Sequence, residues 1–558
     1  MFLPIEELQK IADLFNGKLI LGFTIIALLN ATLMVIISFR FFESMQQCGY
    51  KGSAYIKWIA RRDNAYITRL LMLSLMSILG FILINITFSF LDGEYLKYLG
   101  FIAYAVFLAV YFSGEMKRKS KVPLVITKRM IRLMITFIIL AVFASLTLIY
   151  VINLIAIPFK ENLIADFRYA VLCFVPITVP YLVLIAYFIN IPLEKLISRK
   201  HILKCKQTLS EREGLIKIAI TGSYGKTSVK EILNALLSTK YKVLATPESY
   251  NTPMGIAKTV KRLDDSHDIF ICEMGAKLPG EIKQLCDIVV PNYAVITGVT
   301  VQHLESFLTV ENIIKTKSEV IGDYFKGSAF ISGDNKYTVA IYENAVCEKY
   351  MAGADNKQGL VYAEGVKMSE KGSAFTMVYG SEREEVSIPL IGMSNVHNVC
   401  LASAVALKLG LSLKEVSLAL SRLKQIPHRL SVSTNDRGVH IIDDGYNSNP
   451  VGVKHAIDAL SRFEGKKYIV TPGLVELGFA EAGYNFKLGE DLAKVCDGVI
   501  LVGRSGSLHI REGLLSKEYP TDKIFMAKNL EEAKKIIKEN LNEGDVVLFE
   551  NDLPDVLS

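Results

Sequence analysis

The chain is 558 residues long, 51% apolar, and carries a formal net charge of +7. That length holds several domains, the apolar excess is too large for a wholly soluble enzyme, and so small a charge gives no argument for a nucleic-acid partner. Eight cysteines, with no Cys-x-x-Cys pair and no His/Cys metal spacing, read as reduced thiols and not as a disulfide frame.

The apolar residues concentrate in the first third. Five stretches approach the roughly 20 residues that a spanning helix needs: Lys18–Phe39, Leu70–Leu91, Tyr98–Phe112, Leu133–Ile155 and Tyr169–Ile191, the third being the shortest. The first lacks the basic start and small-residue cleavage site of a signal peptide, so it reads as a retained span. Arg40, Lys51, Lys57, Arg61, Arg62 and Arg69 fill the first connection, and Lys117, Arg118, Lys119, Lys121, Lys128 and Arg129 the third. Lys195, Arg199, Lys200, Lys204 and Lys206 follow the last span. Positive charge stays on the cytoplasmic side, which predicts a multi-pass region over residues 1–202, N-terminus outside, with everything after Pro192 in the cytosol. Asn30, Asn85 and Asn153 are the strongly polar groups within the apolar centres. That is little for a transport path, so an anchor knit by interhelical hydrogen bonds is expected, with a lipid-substrate groove as the alternative.

A charged linker is expected from Leu203 to Gly214. The apolar run Leu215–Ile220 then reads as a buried strand, followed by Gly222, Gly225 and a helix opening on Lys226. Val229, Ile232, Leu233, Leu236 and Leu237 recur at the spacing of one helical face. Strand, glycine loop, lysine and helix describe a phosphate cradle: glycines let backbone N–H groups close on oxygen anions, the helix N-terminus adds its dipole, and Lys226 reaches the phosphates. Thr227 is placed to hold Mg²⁺. The plain alternative is a glycine turn before an amphipathic helix, since the strict spacing wants a glycine where Ile220 stands.

Further strands are expected at Lys242–Ala245, Asp268–Cys272, Tyr293–Thr297 and Ala329–Ser332, alternating with helical patterns as in a parallel sheet wrapped by helices. Leu360–Ile391 reads as a small antiparallel insert, and helices follow at Asn395–Leu409 and Ser412–Leu423. A second α/β series begins after Pro427, with strands at His440–Asp443, Lys467–Thr471, Gly498–Val502, Ile524–Ala527 and Val546–Phe549. The expected domains are therefore 203–425 and 426–558. Glu273 closes one strand at the carboxyl end of the sheet, where open α/β sheets bind ligands, and His303 follows the next strand. Singly, each has a dull reading as a solvated strand end or a helix start. Lys317 stands on a charged helix, and Asp443 and Asp444 end a strand that turns through Gly445 to Pro450. Only one of those two carboxylates can face a given site.

Taken together, Thr221-Gly-Ser-Tyr-Gly-Lys-Thr227, Ser249-Tyr-Asn-Thr-Pro-Met-Gly255, Glu273-Met-Gly-Ala276, Gln302-His-Leu-Glu-Ser-Phe307, Thr316-Lys317, Asp334-Asn335, Asn395-Val-His-Asn398, His428-Arg429 and Asp443-Asp-Gly-Tyr-Asn-Ser-Asn-Pro450 resemble the Mur ligase family. These are the ATP-dependent amide-forming ligases of peptidoglycan synthesis, and the match is best to the branch that adds D-alanyl-D-alanine. The resemblance implies a phosphate-loop central ATPase domain and a Rossmann-like C-terminal domain. It implies that Gly222, Ser223, Tyr224, Gly225, Lys226, Thr227 and Ser228 bind ATP together with Asn398, Arg429 and Asp444, and that Thr227, Glu273 and His303 ligate Mg²⁺. Lys317 would react with CO₂ to give a carbamate, joining Lys226 and His303 as catalytic residues and Thr227, Glu273 and His303 as a metal ligand. Asn251, Thr252, Tyr446, Asn447 and Asn449 would face substrate. The implied chemistry is ADP-forming, through an acyl phosphate that an amine then attacks.

Two departures from the family pattern bear on the substrates. Membrane spans stand where the soluble relatives carry a UDP-sugar-binding domain, which makes a lipid-linked envelope acceptor attractive. Phe549-Glu-Asn-Asp-Leu-Pro-Asp555 replaces a Lys-Gly-Ser motif, and Thr471-Pro-Gly-Leu-Val-Glu-Leu-Gly478 replaces a Gly-Asp-Met start. Glu550, Asp552 and Asp555 are expected to disfavour a free carboxylate on the amine donor. The alternatives are a polyglutamate-type synthase, a non-catalytic membrane scaffold that keeps a ligase fold, and ATP-driven transport.

Overall fold

The computed structural model describes residues 17–61, 64–87, 106–114, 123–156, 168–446, 448–503 and 506–551. They form two compact units, one ending at Ile197 and the other beginning at Ser198.

In the first unit, four helices are long and apolar enough to cross a membrane: Thr24–Gln47, Ala65–Ile84, Lys128–Ile155 and Ala170–Ser210. The expected span at Tyr98–Phe112 lies largely outside the described residues, of which 106–114 are helical. Apolar side chains spaced along the helix fronts, among them Met34, Phe41, Phe42 and Phe137, make the unit's own core. Two of the asparagines inside it pair across helices. Asn30 Nδ2 donates to Ser145 Oγ at 3.0 Å, and Asn190 Nδ2 donates to Thr136 Oγ1 at 2.8 Å. Asn153 instead bonds back to Ile149 O of its own helix; the side chain of Asn85 lies outside the described residues.

The expectation of a linker over 203–214 is corrected. Helix Val175–Ser210 carries straight on through Pro180 and Pro192, and Ile202, Cys205 and Leu209 pack against the core that holds Leu215 and Ala219. Their spacing lays them on one helical face, with Lys204 and Lys206 turned away, so the charges decorate a helix instead of loosening a linker.

The second unit holds two sheets. The first has the order β2-β3-β1-β4-β5-β6-β7-β8-β9. Its strands are β1 Ile216–Thr221, β2 Val243–Ala245, β3 Ile269–Glu273, β4 Tyr293–Ile296, β5 Ser328–Ser332, β6 Glu348–Ala352, β7 Val361–Ser369, β8 Gly372–Tyr379 and β9 Glu382–Ile388. β1 to β6 pair in parallel, while β7–β9 are antiparallel to one another, as the sequence rhythm predicts. They extend the same sheet, since β7 joins β6 at Ala352↔Val361. Helix Lys226–Leu237 buries Val229, Ile232, Leu233, Leu236 and Leu237 completely, in the cluster that also holds Val396, Val399 and Cys400. At about 1.5–3 kcal/mol for each such side chain, this face anchors the helix that carries Lys226.

The second sheet runs β10-β11-β15-β12-β13-β14, with β10 Ser431–Thr434, β11 His440–Asp444, β12 Lys467–Thr471, β13 Gly498–Val502, β14 Ile524–Ala527 and β15 Val546–Glu550. All pairings are parallel except β10 with β11. All eight cysteines are free thiols.

Candidate functional site

The site gathers at the carboxyl ends of β1, β3 and β4. Gly225 caps the helix from a left-handed backbone (φ +79°), and a β-carbon there would stand 2.6 Å from Asn398 Oδ1. Only glycine meets both conditions. Ser223 N–H donates to Gly298 O at 2.6 Å, and its hydroxyl donates to Thr300 O at 3.1 Å. Tyr224 Oη accepts from Asn335 Nδ2 at 3.3 Å, so the loop is tied to the segments that follow β4 and β5. Lys226 Nζ donates to Gly222 O at 2.9 Å and to Ser223 O at 3.2 Å. Burial pushes this ammonium down to about 8, opposed by the Glu273 carboxylate.

Glu273 is 1% exposed, and an isolated carboxylate so placed would be costly. Thr227 Oγ1 donates to its Oε2 at 3.0 Å and Asn251 Nδ2 to its Oε1 at 3.0 Å. Lys230 Nζ lies 3.7 Å from Oε2. Lys230 is itself fully buried and donates to Glu248 O at 2.5 Å, where Glu248 holds a left-handed backbone. The sequence reading passed over Lys230. The signal was present: it shares the buried face of its helix with Leu233 and Leu237, a place where an unpaired lysine is not tolerated.

From the C-terminal half, Arg429 Nη2 donates to Thr227 Oγ1 at 3.4 Å, and the guanidinium sits 4.6 Å from the centre of the Tyr446 ring. Arg429 is flanked by His428 (φ 58°) and Leu430 (φ 51°), both left-handed. His428 Nδ1 pairs with Asp443 Oδ2 at 2.8 Å, and Leu430 N–H donates to Asp444 Oδ1 at 3.3 Å. The two adjacent carboxylates therefore diverge, as strand geometry requires. Burial raises Asp444 to about 6, against the pull of Arg429. A pocket brings Tyr224, Gly225, Ser228, Asn398, Arg429 and Asp444 together with Asn449 and His455. A larger cleft of about 540 Å³ opens beside Thr227 and is lined by Ser249, Tyr446 and the connection 422–429.

His303 caps the short helix Leu304–Phe307 from a left-handed backbone. Its Nδ1 contacts Glu476 Oε2 from the C-terminal half, and Lys277 Nζ holds Glu476 Oε1 at 2.7 Å. Burial lowers His303 below its ordinary value, against the Glu476 hydrogen bond. Burial pushes Glu476 up, but His303 and Lys277 outweigh it and bring the carboxyl down to about 2. An ionised carboxylate only accepts, so His303 Nδ1 carries the proton of this hydrogen bond. Neither Glu476 nor Lys277 was expected; Glu476 lies inside the 471–478 stretch noted as a departure. Lys317 is 3% exposed, with Phe307 5.8 Å beneath its Nζ. Burial, helped by repulsion from Lys226, lowers it to about 7.

Several expected substrate-facing residues are engaged locally. Thr252 accepts from Gly255 N–H as a helix cap, and Asn449 Oδ1 caps helix Pro450–Ser461 through Val451 and Gly452. Tyr446 Oη meets Ser249 Oγ, so it joins the two halves. Asn447 lies outside the described residues, as do Asp552 and Asp555. The expectation for Glu550 is corrected: it is 2% exposed and accepts from Ser448 Oγ at 2.5 Å, and burial raises it far above the ordinary carboxylate range. A buried carboxyl whose protonated form is favoured is not an exposed negative charge facing an incoming amine.

Glycine loop, lysine, strand-end carboxylate and an arginine from a second α/β half make up an enzyme of the phosphate-loop class. Residues 220–406 match the Mur ligase middle domain, and residues 428–550 match the Mur ligase glutamate ligase domain. The UDP-N-acetylmuramoyl-tripeptide–D-alanyl-D-alanine ligase of Bacillus subtilis is 32% identical over 336 residues, covering 60% of this chain and 72% of that protein. The Mycobacterium bovis enzyme of the same name is 33% identical over 281 residues, and there the chain spans 54% of the relative. Among solved structures, MurF from Acinetobacter baumannii aligns with a TM-score of 0.58 at 26% identity, covering 64% of this chain and 77% of that one. MurF from Thermotoga maritima, solved in complex with ADP, aligns with a TM-score of 0.57 at 27% identity, covering 64% and 80%. The chain belongs to the Mur ligase family, the ATP-dependent amide ligases.

Proposed function

We propose that the chain is a membrane-anchored, ADP-forming ligase that joins D-alanyl-D-alanine, or an amine close to it, to the carboxylate of a muramyl tripeptide. In this reading residues 1–202 are the anchor, 203–425 the ATP-binding domain and 426–558 a Rossmann-like domain, with the last two on the cytoplasmic side. The observation that carries it is the meeting of Lys226, Thr227 and Glu273 with Arg429 from the other half of the unit.

The residues fit a divalent cation in part as they stand. The Thr227 hydroxyl and the Glu273 carboxylate, 3.0 Å apart, are hard oxygen donors of the kind Mg²⁺ takes, and His303 adds a ring nitrogen. Lys317 as a free amine does not fit. Its depressed value supplies the neutral amine that can attack CO₂, losing a proton to leave a carbamate oxygen as donor. Thr227, Glu273, His303 and the carbamoylated Lys317 would hold Mg²⁺, which offsets the repulsion between substrate carboxylate and triphosphate.

Lys226 leaves its loop carbonyls to neutralise the γ-phosphate as the substrate carboxylate attacks it and ADP departs. Asn398, Arg429 and Asp444 orient the nucleotide from the far side. The amine then attacks the acyl phosphate, and phosphate leaves as the amide forms. Docking of the C-terminal half keeps water from that intermediate.

The test is phosphate release by the detergent-purified chain with ATP, Mg²⁺ and bicarbonate. UDP-linked and undecaprenyl-linked muramyl tripeptides form the acceptor arms, with D-alanyl-D-alanine and other amines as donors. Release that requires both substrates and is lost in Lys226→Ala supports the reading, and the active arm identifies the carrier. ATP binding without turnover of any pair would defeat it. Labelled bicarbonate should give a carbamate carbon signal in the wild type that Lys317→Ala lacks.

A further inference from the structure

Glu476 reaches from the C-terminal half into the central domain and touches it through side chain and backbone alike. Its carboxylate spans His303 Nδ1 and Lys277 Nζ. Its carbonyl accepts the Glu305 N–H at 3.3 Å, and Gly478 lies against the Glu305 backbone. His303 (φ 52°) and Glu476 (φ 62°) both hold left-handed backbones, a conformation that costs a side-chain-bearing residue free energy and persists where the surroundings over-determine it. Two strained residues from different domains thus meet on one hydrogen bond. With Nδ1 engaged, Nε2 is the ring atom left to meet a ligand.

We propose that Glu476 is a positioning residue that fixes the tautomer and orientation of His303, so that the cation site is complete only when the C-terminal half is docked. This rests on the reading of His303 as a metal ligand. A carboxylate behind a ligating imidazole orients the ring and strengthens it as a donor. Here that carboxylate is supplied by a different domain from the ligand it supports. Cation binding and docking are then linked in both directions: the cation favours the docked form, and docking tightens the cation.

The experiment is Mn²⁺ binding to the full chain in detergent, followed by electron paramagnetic resonance with a non-hydrolysable ATP analogue present. Glu476→Ala should weaken Mn²⁺ binding by about 10-fold or more. Glu476→Gln, whose amide oxygen still accepts Nδ1–H, should fall between it and the wild type, and it keeps the test open if alanine disturbs the fold. Lys277→Met removes the other interdomain contact of the same carboxylate and should change Mn²⁺ affinity far less. Unchanged affinity in Glu476→Ala, or an equal loss in Lys277→Met, overturns the proposal, the second because docking and not the imidazole would then be the cause. His303→Ala separates the two readings. If it binds Mn²⁺ as the wild type does, the metal reading fails; if it weakens binding while Glu476→Ala does not, only the positioning role fails.

Discussion

The carboxyl ends of the two sheets handle buried charge in opposite ways. At the central sheet, Glu273 is met by a hydroxyl, an amide and a buried ammonium, so opposite charges and hydrogen-bond donors offset its desolvation. At the C-terminal sheet, Asp444 and Glu550 stand opposite each other on the adjacent strands β11 and β15. Like groups side by side cannot both ionise cheaply: burial pushes both up, joined at Asp444 by repulsion from Asp443 and at Glu550 by repulsion from Asp444. Among the described residues Glu550 Oε2 has no hydrogen-bond partner. The first end is built for charge and the second is built to shed it.

Four substitutions probe that contrast, in falling order of effect. Lys226→Ala removes the cation of the charged end and should cut phosphate release by roughly 10³-fold, with folding unaffected in a thermal melt. Lys230→Ala breaks the buried pair and leaves Glu273 short of its cation. We expect a loss of about 3 kcal/mol in a denaturant titration, and a loss under 1 kcal/mol would mean that Lys230 is not needed to balance it. The third acts on the carboxyl end of the second sheet. The folded value of Asp444, about 6, lies above its ordinary 3.8. Folding therefore favours its protonated form, and the stability it contributes is full below pH 3.8 and lost as pH rises through about 6. Asp444→Asn should flatten that decline when urea midpoints are compared across the window. Glu550→Gln replaces a carboxyl whose protonated form burial favours, and should shift stability by less than about 1 kcal/mol.

Much of this architecture was legible in the residues. Runs such as Ile216–Thr221 and Gly498–Val502 are apolar and β-branched because both sheet faces are covered, and their positions fell where expected. Two short strands were not legible. β6 (Glu-Lys-Tyr-Met-Ala) has little strand character of its own and forms because β5 offers a partner along its full length; β10 likewise depends on β11. In the candidate site, Lys226, Thr227, Glu273 and Arg429 stand in local motifs that the sequence displays by itself. Lys230 and Glu476 were not legible, because their roles arise from partners distant in the chain: Glu273 for the first and His303 for the second. The Val175–Ser210 helix escaped for a related reason. Two prolines and a run of lysines look like a break until the packing of Cys205 and Leu209 is seen.

That helix also dictates where the protein can be cut. A ligase fragment beginning at Gly214 would strip Cys205 and Leu209 from a core they help to close and leave an apolar patch open to water. A fragment beginning at Ser198 would retain the last turns of the helix as a lid of its own. Protease sensitivity should divide the chain accordingly, with the turns around Cys205 and Leu209 resisting cleavage together with the ligase half.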